Sequence, residues 1–117
     1  MPKILFIDST TEIDRTWKLV HGADDVPITV NIGPSAEADI PRLLDGYDTC
    51  INDATYFTDA TLKSCSSLRH IVFLGAGAAS FVDLAAATRA GIKVSTINRS
   101  ICLATKTYYL RSIPTLL

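Results

Sequence analysis

Five short apolar runs are separated by stretches with helical spacing, and this alternation restricts the chain to very few folds. The runs are "KILFID" (3–8), "ITVNI" (28–32), "TCIN" (49–52), "RHIVFL" (69–74) and "IKVSTI" (92–97). Short, mostly apolar runs suit strands covered on both faces, as in a parallel sheet. The intervening segments carry helix signals. Thr11 with Asp14 fits a capping box; Ile13, Trp17 and Val20 then share one face, and Gly22 can close the helix. A second helix starts near Asp39, which leaves Pro41 in the first turn, and ends at Gly46. "DATLKSCS" (59–66) is a short third helix. "SFVDLAAATRA" (80–90) is a fourth, opened by a Ser80–Asp83 box and ended by Gly91. "ICLATKTYYLRSI" (101–113) predicts a fifth, stopped by Pro114.

Strands alternating with helices imply a parallel sheet, and right-handed crossovers leave few topologies. The expectation is a flavodoxin-like three-layer α/β sandwich with a five-stranded parallel sheet in the order 2-1-3-4-5, one domain over residues 1–117. The 117 residues have room for a single core, and 48% of them are apolar, enough to fill it. A net charge of −1 implies no polyanionic partner such as nucleic acid. No apolar run approaches the ~20 residues of a membrane span, and Met1-Pro2-Lys3 leads into a strand with no signal-peptide core. Cys50, Cys65 and Cys102 form an odd, scattered set, expected to be buried or free thiols in a reducing compartment, with no disulfide and no metal site. These features predict a cytoplasmic globular domain.

In such sheets ligands sit at the carboxyl ends of the strands. The segments to examine are therefore residues 8–11, 53–58, 75–80 and 97–100. "LGAGAASFVDL" (74–84) stands out, because an apolar run ends in two glycines before a helical pattern begins. Glycines here are compatible with a tight turn alone. Gly75 and Gly77 also match the start of a dinucleotide fingerprint, with Ser80 at the third position. The next strand ends in Asn98-Arg99-Ser100, which suits a 2′-phosphate better than a ribose hydroxyl. The stretch resembles the cofactor site of shikimate dehydrogenases, and that resemblance implies an NADP site at Gly75, Gly77, Asn98 and Arg99. Two features oppose it. The Ser80–Asp83 box takes the amides and places a carboxylate where a pyrophosphate would sit, and only 17 residues follow Ser100.

A longer stretch, "LRHIVFLGAGAASFVDLAAATRAGIKV", resembles the substrate-binding domain of D-isomer-specific 2-hydroxyacid dehydrogenases, and "KILFIDST" is similar to that domain's first strand. The resemblance covers roughly residues 1–97, and "VDLAAA…AGIKV" is its most specific part. It implies that backbone amides of the loop after the fourth strand hold a substrate carboxylate. By position that role falls on Ala76 and Gly77, with Gly75 and Ala78 beside them. Tyr56 and Phe57, in the loop after the third strand, would line the same cleft. Residues 98–117 depart from the family pattern, so the resemblance implies a truncated substrate domain. NAD or NADP belongs to the full-length family; this chain alone is expected to bind none, to be inactive, and to have a small carboxylate as its weak partner. No catalytic residue is assigned. His21 and His70 are read as surface or satisfied structural histidines.

A phosphoacceptor receiver domain has the same length and strand rhythm, with Asp48 and Asp53 near the end of strand three. It needs clustered carboxylates for Mg²⁺ and a lysine after strand five. Here strand one offers Asp8 followed by Ser9, and Arg99 replaces the lysine. Asp53 is therefore read as a turn former or cap. Tyr108, Tyr109 and Leu110 in the tail, or an uncovered cleft, are candidates for driving homo-oligomer formation.

Overall fold

The computed structural model describes residues 3–20 (side chains to Arg15), 27–74 and 77–96. Several expectations lie outside these: the side chains of Trp17 and Val20, His21, Gly22, Gly75, Ala76, Asn98, Arg99, Cys102 and the fifth helix at 101–113.

Among the described residues five strands form one sheet: β1 (Ile4–Ser9), β2 (Ile28–Ile32), β3 (Thr49–Asn52), β4 (His70–Phe73) and β5 (Lys93–Thr96). Their order is β2-β1-β3-β4-β5 and every pairing is parallel, as the alternation of strands and helices predicts. Four α-helices connect them: α1 (Thr11–Val20), α2 (Ile40–Leu43), α3 (Asp59–Ser64) and α4 (Leu84–Arg89). Successive residues along each strand feed opposite faces. Leu5, Ile7, Cys50 and Ile71 pack with Ile40, Leu44, Leu62, Ala86 and Ala87 from the α2–α4 side. Ile4, Phe6, Ile51 and Val72 pack with Ile13 of α1 on the other. Both faces of the central strands are thus dry, which explains their lack of polar alternation.

Helix boundaries depart from expectation at two caps. Thr10, not Thr11, caps α1: its Oγ1 accepts from Ile13 N at 3.1 Å, so the box position three residues on falls on Ile13 and not on Asp14. The fourth helix starts at Leu84, not Ser80. Asp83 is its cap, Oδ1 accepting from Ala86 N at 3.0 Å, while Ser80 ends a 3₁₀ turn, Ala78–Ser80. The cause is long-range. Phe57 N donates to Phe81 O at 2.7 Å and Asp83 N to Phe57 O at 3.0 Å, so residues 81–83 run beside the loop after β3 and cannot coil. At the far end Gly91 N reaches Thr88 O and Ile92 N reaches Ala87 O, a Schellman closure around φ +75° at Gly91. Helix α2 begins after Asp39 with Pro41 in its first turn, as predicted.

Candidate functional site

The carboxyl ends of β1, β3 and β4 lead into three loops that pack side by side. The loop after β3 is fixed from both ends. Asn52, fully buried, clasps Thr55: Oδ1 accepts from Thr55 N at 2.7 Å and Nδ2 donates to Thr55 O at 2.9 Å. Asp8, at the end of β1, accepts from Asp53 N (2.9 Å), Ala54 N (2.7 Å) and Thr55 Oγ1 (2.8 Å). Beyond it, Phe57 is bridged to the loop after β4. Between these anchors stands Tyr56, 64% exposed, its ring 5.0 Å from that of Phe81, which in turn stacks on Phe73 at 5.2 Å.

Tyr56 lines two open cavities. One, of about 550 Å³, is bounded by Asp8, Ser35, Glu37, Asp53 and Thr55 among others. The other, of about 450 Å³, is bounded by Thr58, Asp59, Ala79, Ser80, Phe81 and Asp83 among others. Among the described residues the linings hold carboxylates and no lysine or arginine, yet most of those charges are answered within the fold. Glu37 Oε1 accepts from Thr58 Oγ1 at 2.8 Å and Thr61 Oγ1 at 3.0 Å. Asp59 pairs with Lys63 at 3.0 Å and Arg89 at 3.6 Å, and the Lys63 hydrogen bond chiefly holds its carboxyl below the usual range. Asp83 caps α4.

The residues expected to hold a substrate are distributed as follows. Gly77 is exposed with φ +80°, and its carbonyl accepts from Ser80 N at 2.9 Å. Ala78 is buried and opens the 3₁₀ turn. Among the described residues no acceptor is paired with the N–H of either. Phe57 is 1% exposed and both its main-chain groups are bonded, so it shapes the cleft from beneath. Tyr56 and the loop residues Ala79 and Ser80 share one cavity wall. Asp8 was legible in the sequence only as a strand-end acid; its partners lie 45–47 residues away.

The dinucleotide alternative is not favoured. A pyrophosphate needs the amides and positive end of a helix directly after the glycines. Gly77 instead leads into a 3₁₀ turn, and the following helix is capped by the Asp83 carboxylate. The receiver alternative is not favoured either, because Asp8 is committed to loop amides and no three His, Cys, Asp or Glu among the described residues are grouped to hold a metal ion. His70 sits at the opposite, amino end of β4, buried, with Nε2 2.8 Å from Ser95 Oγ. Cys50 and Cys65 are free and buried, and burial raises both thiols, so neither is a ready thiolate. No helix among the described residues is long and apolar enough to cross a membrane.

No family model matches the chain, and no curated protein matches it in sequence. Solved structures do match in shape. D-lactate dehydrogenase from Escherichia coli superposes with a TM-score of 0.68 at 17% identity, over 85% of this chain and 32% of that one. D-2-hydroxyisocaproate dehydrogenase gives 0.68 at 13% identity, over 82% and 29%. An acyclic imino acid reductase solved with NADPH and D-Arg gives 0.65 at 19%, over 83% and 31%. At these identities the likeness is one of fold, and the chain spans about a third of each neighbour.

Proposed function

We propose that this chain is the substrate-side domain of an NAD(P)-dependent D-2-hydroxyacid dehydrogenase, and that its loop after β4 receives the carboxylate of a small 2-hydroxy or 2-oxo acid. The observation that carries this reading is the left-handed Gly77, opening a run of small residues at the carboxyl end of β4, next to the loop that presents Tyr56. Its support is the topology shared with D-lactate and D-2-hydroxyisocaproate dehydrogenases. Positive φ at glycine lets successive N–H groups turn toward one point, and alanines at 76, 78 and 79 let an anion approach the backbone. Gly75 and Ala76 complete the proposed loop. Tyr56 forms the wall facing the substrate's side chain, and Phe57 supports it from the core.

With no lysine or arginine among the described lining residues, each amide contact exchanges with water and gains only ~1 kcal/mol. Binding is therefore expected to be millimolar or weaker. A nicotinamide cofactor would supply hydride in such an enzyme; among the described lining residues there is no histidine to move the accompanying proton, and His70 lies at the other end of the sheet. The isolated chain is expected to turn over no substrate and to hold no nicotinamide cofactor strongly. Ligand-observed NMR with glyoxylate and lactate tests the reading: weak, saturable binding by both supports it, and none contradicts it. Calorimetry with NADH and NADPH tests the second part. Low-micromolar binding would restore Gly75, Gly77, Asn98 and Arg99 as a cofactor site.

A further inference from the structure

We propose that Asp8 is a positioning residue for the cleft, holding the loop after β3 so that Tyr56 stands at a fixed place between the two cavities. This rests on the reading of the cleft given above. Three donors converge on the Asp8 carboxylate, the N–H groups of Asp53 and Ala54 and the Thr55 hydroxyl, all within 2.9 Å. The Thr55 N–H goes to Asn52, so each amide from 53 to 55 has a side-chain acceptor. Two residues later Phe57 is tied to Phe81 and Asp83. Tyr56 is left as the one residue of this loop with a largely exposed large side chain on an immobilised backbone, which is the arrangement that gives a binding group a defined position. The carboxylate geometry is specific. Oδ1 serves Asp53 N, while Oδ2 serves both Ala54 N and the Thr55 hydroxyl. An amide at this position keeps one acceptor oxygen and faces the other donors with its own NH₂ group.

Variants Asp8→Ala, Asp8→Asn and Thr55→Val, each alone and with Tyr56→Ala, separate a positioning role from a merely structural one. In the ligand-free protein, ring-to-ring nuclear Overhauser contacts between Tyr56 and Phe81 are expected in the wild type. They should be lost in Asp8→Ala, partly restored in Asp8→Asn and weakened in Thr55→Val, while the amide shifts of β3 and β4 stay in place. Ligand titration then uses phenylpyruvate, whose phenyl side chain is expected to meet Tyr56, and glyoxylate, which has none. Asp8→Ala should weaken phenylpyruvate about five-fold with glyoxylate little changed, and should add nothing in the Tyr56→Ala background. Unchanged Tyr56–Phe81 contacts in Asp8→Ala would overturn the proposal, as would an equal loss for both acids or additivity with Tyr56→Ala. Should Asp8→Ala not fold, Thr55→Val decides by the same ring contacts and the same comparison of acids. Wild-type protein binding neither acid would sink the dehydrogenase reading, and the ring contacts alone would then decide the role of Asp8.

Discussion

Gly77 holds φ at +80°, yet among the described residues a Cβ placed on it would meet nothing nearer than Ser80 Oγ at 4.0 Å. Its described surroundings leave room for a methyl group, so the positive φ is the constraint. Gly77→Ala is predicted to cost about 1–2 kcal/mol, and Gly77→Asn less, because asparagine tolerates the left-handed region. Urea unfolding of the two variants checks the order. His70 carries a separate prediction. Burial, and then Lys93 paired across from it on β5, lower its pKa from the usual ~6.5. A depressed folded value means the unfolded chain binds the proton first as pH falls. Stability is therefore full above about 6.5 and declines as the pH drops through the folded value. Thermal midpoints measured from pH 7.5 to 5 should fall, and the His70→Gln variant should show a shallower decline over that window.

At the scale of elements, the loops at the carboxyl edge behave as a small extension of the sheet. The Phe57–Val82 bridge joins two segments outside the named strands. Amides of Phe57 and Asp83 are thus predicted to exchange slowly in native-state hydrogen exchange, with protection well above that of Asp53 and Ala54, whose acceptors are side-chain oxygens near solvent. Exchange at Phe57 as fast as at an exposed loop would refute the bridge. Helix α4 depends on its cap, so Asp83→Ala should lower stability by about 1 kcal/mol, while Ser80→Ala should be nearly neutral. This pair also shows where local sequence ran out. Strands at 49–52 and the order of the sheet were legible, because apolar runs on both faces and short connections leave little choice. Ser80 and Asp83 both look like caps, and only the pull of Phe57, more than twenty residues upstream, decides between them. Thr10 and Thr11 pose the same local ambiguity.

For the whole molecule, the parallel sheet gathers the three loop ends at one edge, and that placement was readable from the strand rhythm alone. The contents of the edge were less readable. Tyr56 and Gly77 stand out in sequence as an aromatic and a glycine near strand ends, but the clasp of Asp8 on residues 53–55 spans 45 or more positions and leaves no local pattern. The function proposed here turns on the loop after β4 acting as a carboxylate receptor. An amide-shift titration of the isotope-labelled chain with glyoxylate and lactate, with chloride as the control, tests that most directly. Saturable shifts centred on residues 75–79, at millimolar or weaker affinity and absent with chloride, are the predicted result. No shifts at those residues, or equal shifts with chloride, would leave the glycines as turn formers and contradict the carboxylate site.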